Sequence, residues 1–523
     1  MVIEIAEPKV SEPISPIEDI NKAYAECKFG RFHIRLLITT FAGCIASILV
    51  TNSSSYILPI AECDLNMNLR EKGLLTAMPF IGMYISSIVA GFLNDIFGRI
   101  LFLKIGYGGL FLFSVLSAVS QNYMMFAIGK FGEGFAFAVA MNALYSITSE
   151  FCHPSVRDRI LLCQSSFSAM AQIICPAMAW GFLIQDWEWS TFNGAFVLKQ
   201  WNFFLLALSV WAFGGFILYC TLPESPKFLA TQKRYLEAKN IIIQVYTENT
   251  GKSADTFPYL NLWEKEINEE TKKNEGEKDV YRKVKTQVWE ALVTMKPLFR
   301  RPLLTYLLNA SVMQLIVIAT YGVLKMWFPQ VSTIVEHYPL DEYDNLCGSL
   351  DSYTATEKLK LANVTINDTH KCVPTVSGTD TYVNSIIMGV VCMIPYFISG
   401  AIVNKFGKKC LLILTTIISI GALLGIRWSV NNAMMVAMFS IDVAMTQMMK
   451  SLIIVILLEV FPTSMRSLAM SLVTTFATFG ILISNVGFPI LLEISCEIPF
   501  YLLTAIMLVI IVLAIFTPEK QES

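Results

Sequence analysis

The sequence predicts an all-α polytopic membrane protein, with twelve transmembrane helices arranged as two pseudo-symmetric six-helix bundles. Three observations predict it. Hydrophobic residues make up 54% of the 523-residue chain and charged residues 15%, against roughly 25% charged in an ordinary soluble domain. Apolar runs long enough to cross a bilayer, about 20 helical residues each, recur along the chain in two groups of six. A single register shift also superposes unusual residues of the second group on the first.

The first six runs fall at 36–58, 74–94, 101–120, 123–148, 160–184 and 202–222. After a charged gap come 303–328, 381–403, 410–430, 433–458, 468–492 and 498–516. They lack the two-residue alternation of a membrane β-strand. The expected division is a disordered tail at 1–34, one bundle at 35–222 and a central loop at 223–301. A second bundle follows at 302–516, with an external loop at 330–380, and a short tail at 517–523.

Charge placement sets the expected orientation. Lys and Arg concentrate in the tails and in the loops on the same side, which by the positive-inside bias makes both termini cytoplasmic. The first thirty residues, MVIEIAEPKVSEPISPIEDINKAYAECKFG, lack the apolar core of a cleavable signal. In the central loop, EKEINEETKKNEGEKDVYRKVK reads as solvated helix. The net charge of −2 provides no global field for nucleic acid. The external loop holds Cys347 and Cys372, a candidate disulfide in an oxidising location, and two glycosylation acceptors, Asn363-Val364-Thr365 and Asn367-Asp368-Thr369.

The register shift is 309 residues. It matches Gly91 to Gly400, Asp95 to Asn404, Phe97 to Phe406, Gly98 to Gly407 and Arg99 to Lys408. Without slipping, it also matches Glu150 to Glu459 and Arg157 to Arg466. Two separate loops sharing one offset point to a duplicated six-helix unit.

These residues resemble the signature motifs of the major facilitator superfamily. Gly91-Phe92-Leu93-Asn94-Asp95-Ile96-Phe97-Gly98-Arg99 is similar to its motif between helices 2 and 3. The segments from Glu150 to Arg157 and from Glu459 to Arg466 are similar to the motifs after helices 4 and 10. Pro223-Glu224-Ser225-Pro226-Lys227 resembles the PESPR motif of the sugar-porter and organic-ion branches. Within the superfamily the chain resembles the synaptic vesicle glycoprotein 2 type, through Gly30-Arg31-Phe32, Leu58-Pro59, Ala177-Met178-Ala179-Trp180 and Trp327-Phe328-Pro329. The resemblance implies a two-bundle transporter whose helices 1, 4, 7 and 10 line a central cavity. In that reading Gly91, Asp95, Gly98, Arg99, Glu150, Arg157, Glu459 and Arg466 form a cytoplasmic gate.

Ionisable groups inside a bilayer cost roughly 2.5–3.5 kcal/mol each on insertion scales, so the few present are candidates for substrate binding or coupling. Span 4 carries Lys130 and Glu133, three apart on one helical face. Span 10 carries Asp442 and Lys450, and Glu133 and Asp442 obey the 309 shift. Two readings stand: the carboxylates bind a cation or carry a proton, or Glu133 pairs with Lys130 and keeps the span insertable. Gln172 on span 5 and Gln314, Tyr321 and Lys325 on span 7 extend the polar faces. Lys325 is expected near the outer end of its span, where a lysine can snorkel.

No GxxxxGK[ST], HExxH, GxSxG or CxxC motif occurs, so the sequence gives no support to ATP hydrolysis, to these hydrolytic chemistries or to a metal or cofactor. The expectation is a monomeric transporter, not an enzyme, for a small charged or zwitterionic organic solute, coupled to a proton or another ion. It would reside in the plasma membrane or a vesicle membrane, in contact with lipid and not with nucleic acid. The alternative is a transporter-shaped glycoprotein without flux, a receptor or vesicle component. It is motivated by a departure: the likened type tends to carry acidic residues in span 1 and at the end of span 10. Here those stretches read Ala46-Ser47-Ile48-Leu49-Val50 and Ile453-Ile454-Val455.

Overall fold

The structure is a computed structural model that describes residues 16–191, 196–264, 266–267, 300–340, 342–364, 376–461 and 466–516. Its first bundle comprises α2 (Arg31–Asn52, prolonged by the short α3, Ser54–Ile57), α4 (Leu69–Phe97) and α5 (Arg99–Ala118). It continues with α6 (Tyr123–Glu150), α7 (Pro154–Leu183) and α8 (Gln200–Cys220). The second bundle comprises α11 (Leu303–His337), α13 (Thr379–Phe406), α14 (Lys408–Arg427), α15 (Asn432–Val460), α16 (Arg466–Ile494) and α17 (Glu497–Ile515). Among the described residues nine helices have both the length and the apolarity to cross a membrane. Helices α4, α7 and α13, with 29, 30 and 28 residues, occupy the three remaining positions.

Helix starts follow local chemistry. Asn122 and Asn431 accept the third amide of α6 and α15 through their side chains, and Asn68 forms a reciprocal capping box with Glu71 at the start of α4. Asn122 and Asn431 are themselves related by the 309 shift.

Packing repeats between the halves. In the first, α5 lies against α6 and α8, α4 against α6, and α2 against α7 and α8. In the second, the matching partners are α14 with α15 and α17, α13 with α15, and α11 with α16 and α17. Across the seam α4 meets α16 and α7 meets α13. The shift turns α4 into α13 and α7 into α16, so it exchanges these two contacts, as a twofold relation requires. Each half keeps its own apolar core, one built around residues such as Tyr107, Phe204 and Tyr219, the other around Trp327, Phe328 and Phe439.

Several segments differ from expectation. Residues 16–27, expected within a disordered tail, form α1 (Pro16–Cys27), because Ile20, Ala23, Tyr24 and Cys27 make one apolar stripe. That stripe packs on α10 (Tyr235–Thr250) and α9 (Pro226–Thr231) of the central loop. The Cys27 thiol donates to Ile242 O at 3.8 Å. Burial, then the Glu26 carboxylate, pushes that thiol up to about 12. Asn249 holds the junction: its amide donates to Cys27 O and Lys28 O, and its Oδ1 accepts the Phe32 amide at 2.9 Å.

Helix α11 runs nine residues past the expected end of span 7, through Pro329 to His337. The external loop is not structureless, since α12 (Leu346–Val364) occupies much of it. A short antiparallel hairpin, β1 (Glu188–Thr191) and β2 (Phe196–Lys199), links α7 to α8.

Candidate functional site

Glu133 and Lys130 are wholly buried. Lys130 Nζ donates to Glu133 Oε2 at 2.8 Å, to Ser53 Oγ at 2.7 Å and more weakly to Val50 O. Ser117 Oγ donates to Glu133 Oε1 at 2.7 Å. The cluster therefore staples α6 to α5 and to the end of α2 inside the first bundle. Each carboxylate oxygen of Glu133 finds a donor, which is what a buried charge pair requires.

Asp442, the shift-related carboxylate, is equally buried but makes no ion pair among the described residues. Ser419 Oγ on α14 donates to its Oδ1, and its Oδ2 has no hydrogen-bond partner among the described residues. The two carboxylates thus occupy matched positions with unequal surroundings. A buried carboxylate oxygen without a donor is costly.

The polar residues that meet between the bundles belong mainly to α7, α11 and α15. Gln172 Nε2 donates to Tyr321 Oη at 3.4 Å, joining the two halves. Lys325 Nζ donates to the same hydroxyl at 3.3 Å, and its ammonium lies 5.4 Å from the Tyr321 ring centroid. Lys450 approaches that ring to 5.8 Å. The expected place for Lys325, at the membrane edge, is corrected by the continuation of α11: twelve helical residues follow it, and it sits at the seam. Beside it lies a small cavity lined by Asn52, Ser55, Gln172, Lys325, Met388 and Gly389. The cavity has room for water and none for an organic solute. Gly389 lets α13 approach α7 closely here; a Cβ would stand 2.8 Å from Gln172 O. Gln314, two turns before Tyr321 on α11, is fully buried, with neither amide atom bonded among the described residues.

On the face that carries the chain termini, Arg99 Nε donates to Glu150 Oε1 at 3.1 Å, and its guanidinium lies over the Phe228 ring. Gly98, at φ +106°, turns the chain so that α5 begins on the Glu224 carboxylate. Glu224 accepts the backbone amides of Arg99 and Ile100, each at 3.1 Å, an anion at a helix N-terminus. The side chains of Asp95, Arg157, Glu459 and Arg466 lie outside the described residues, as does the second copy of this network.

On the opposite face the expected Cys347–Cys372 bridge is corrected: Cys347 is bonded to Cys496, between α16 and α17. The reason is that α12 folds back over α16, bringing the two cysteines to a Cα separation of 5.3 Å. Cys372 and Asn367 lie outside the described residues, and Asn363 falls in the last turn of α12. Cys63 is also disulfide-bonded. A charged cluster closes this face. Lys72, with no exposure, donates to Glu62 Oε2 at 2.9 Å and reaches Tyr353 Oη on α12 at 3.5 Å. Burial, then Glu62, raises the Tyr353 hydroxyl well above the usual phenol range.

Sequence spacing identifies Lys130, Glu133, Asp442 and Lys450, but not Ser53, Ser117 or Ser419. A serine has no pattern of its own, and each lies on a different helix from its partner. Glu224 is visible in its motif, whereas its use as a helix cap depends on the fold.

Two six-helix bundles that meet at a partly polar seam are the architecture of an integral multi-pass membrane protein of the transporter fold. The chain belongs to the sugar (and other) transporter family, whose model matches residues 36–322. The model of the Major Facilitator Superfamily matches residues 366–523. Synaptic vesicle glycoprotein 2C of Mus musculus is 25% identical over 355 residues, 66% of this chain and 47% of that protein. Synaptic vesicle glycoprotein 2A of Pongo abelii is 28% identical over 228 residues, 43% of this chain and 30% of that protein. The chain thus spans about half the length, or less, of the curated relatives it matches. Among solved structures, a partially occluded inward-open conformation of the xylose transporter XylE from E. coli superposes with a TM-score of 0.63 at 14% identity. That match covers 94% of this chain and all of the other. A D-xylose-proton symporter gives a TM-score of 0.59 at 16% identity, over 93% of this chain and 97% of the other. At such identities the likeness is one of fold.

Proposed function

We propose that the chain is a secondary active or facilitative transporter of a small charged or zwitterionic organic solute, working by alternating access. One observation carries the reading: Gln172 and Tyr321, from opposite bundles, meet beside a cavity that both bundles line. A seam contact made of a single 3.4 Å hydrogen bond separates cheaply, and the cavity must widen before a solute fits. Rocking of one bundle on the other does both. The names of the structural neighbours, a xylose transporter and a D-xylose-proton symporter, support a small solute and proton coupling. Asp442 is the carboxylate suited to take up and release that proton. The division at 35–222 and 302–516, the cytoplasmic placing of both termini, the monomeric state and the gate at Gly91, Asp95, Gly98, Arg99, Glu150, Arg157, Glu459 and Arg466 belong to the same proposal.

The test is uptake of a labelled solute panel into proteoliposomes with and without an inward proton gradient, comparing wild type with Gln172→Ala and Tyr321→Phe. Saturable uptake, reduced by either substitution, is the expected result. If no member of the panel enters faster than into empty vesicles, transport is abandoned for the second reading, a vesicle glycoprotein without flux. The names of the curated relatives favour that second reading.

A further inference from the structure

Around Tyr321 the described charges have one sign. Lys325 on α11 and Lys450 on α15 both flank Tyr321, and neither makes an ion pair among the described residues. Among the described residues the two fully buried span carboxylates are engaged elsewhere: Glu133 is matched by Lys130, and Asp442 bonds to Ser419. Asp442 also stands eight residues before Lys450 on α15, about 12 Å along the helix axis. The two ammonium groups share one neighbour, lying 5.4 and 5.8 Å from the centroid of the Tyr321 ring.

Two partly buried cations without counter-ions are costly within a bilayer, and the quadrupole of one tyrosine ring offsets little of that cost. The neighbouring polar atoms add hydrogen-bonding capacity without charge: the Tyr321 hydroxyl, the Gln172 amide and, lower on α11, the unpartnered Gln314 amide. Among the described residues no other place combines uncompensated charge, a cavity and contributions from both bundles.

We propose that the seam binds an organic anion, whose carboxylate is held jointly by Lys325 and Lys450 while Tyr321 and Gln172 orient it. This rests on the transport reading and narrows its solute from charged or zwitterionic to anionic. A carboxylate offers up to four acceptor directions, enough for two ammonium groups and the tyrosine hydroxyl at once. Binding would neutralise the two cations and draw α11 and α15 toward α7. Substrate charge would then favour closure of the bundles around it.

The experiment measures binding and flux separately on the full-length protein. Purified protein in nanodiscs is melted in the presence of acetate, benzoate and succinate, and of acetamide, benzamide and succinamide. Uptake of labelled benzoate and succinate is measured in proteoliposomes. Wild type should be stabilised by at least one carboxylate over its own amide. Lys325→Gln and Lys450→Gln should each weaken that stabilisation about tenfold in half-maximal concentration, the loss of one charge-assisted hydrogen bond. Lys325→Arg and Lys450→Arg, which keep the charge, should retain most of it and control for misfolding. The inference is overturned if every carboxylate acts as its amide does, or if the glutamine variants respond as wild type. Charge-dependent binding without uptake leaves the anion site standing and removes transport. Uptake that ignores charge and both lysines does the reverse.

Discussion

Lys130 Nζ and Glu133 Oε2 lie 2.8 Å apart on one face of α6, and neither residue has any exposed surface. With Ser53 and Ser117 completing their hydrogen bonds, they form a closed unit. Removing one member strands the other. Glu133→Gln or Lys130→Met alone should destabilise the protein by about 3–5 kcal/mol, while Lys130→Met with Glu133→Leu should recover much of the loss. Melting of purified single and double variants checks this. Additive losses would show that the pair does not act as a unit.

Asp442 differs from Glu133 in having no ion-pair partner among the described residues, and the proposed proton coupling rests on that difference. Asp442→Asn keeps the Ser419 contact but removes the ionisable proton. Concentrative uptake driven by a proton gradient should vanish, while exchange of labelled for unlabelled solute across the membrane continues. Loss of both activities together would mean that Asp442 serves only to hold α14 and α15 in place.

Glu224 caps α5 through two backbone amides, and Gly98 supplies the turn that aims them. Glu224→Ala should cost about 1–2 kcal/mol. Gly98→Ala should cost more than the ~1 kcal/mol of a left-handed alanine, since its Cβ would stand 2.5 Å from Glu224 Oε2. Thermal melts rank the two. An alanine at 98 tolerated as well as wild type would contradict the geometry.

Non-reducing peptide mapping should recover Cys347 linked to Cys496. A Cys347–Cys372 peptide as the main product would be incompatible with the fold of α12 over α16.

The raised Cys27 thiol makes the docking of α1 measurable. A thiol at about 12 is almost wholly protonated at pH 8 and so unreactive. Released to solvent, it returns toward an ordinary value near 8.5, and its thiolate fraction rises on the order of a thousandfold. Asn249→Ala should therefore speed maleimide labelling of Cys27 at pH 8, and raising the pH toward 12 should narrow the gap to wild type. Equal rates at pH 8 would mean that Asn249 does not hold the helix.

The twelve spans were legible because hydropathy is a sum over many residues, and the repeat because glycines and charges at a turn are hard to replace. Helix α1 was not, since its four apolar positions are embedded among Glu, Pro and Lys and matter only against α10. The seat of Lys325 was obscured by Pro329, which reads as an end to span 7 but lies inside α11. The lysine therefore moves from the membrane edge to the seam. The bridge between Cys347 and Cys496 joins residues 149 apart, a distance over which spacing conveys nothing. Lys130 with Glu133 was readable because both partners share one helix. The serines that complete the cluster come from two others.

Helix α12 is fastened to the second bundle by the Cys496 bridge, by Asp351 accepting the Cys496 amide, and by Lys358 donating to Glu493 O. It meets the first bundle through Tyr353 and Lys72, whose carboxylate partner Glu62 belongs to that first bundle. Parting the bundles on this side would trade that long hydrogen bond for water and leave Lys72 paired with Glu62, but it would also separate Arg70 on α4 from Glu493 on α16, an ion pair of 2.8 Å. Arg70 is already largely exposed, so an opening on this side would pass both charges of that pair to water, where an exposed ion pair is worth about 0–1 kcal/mol.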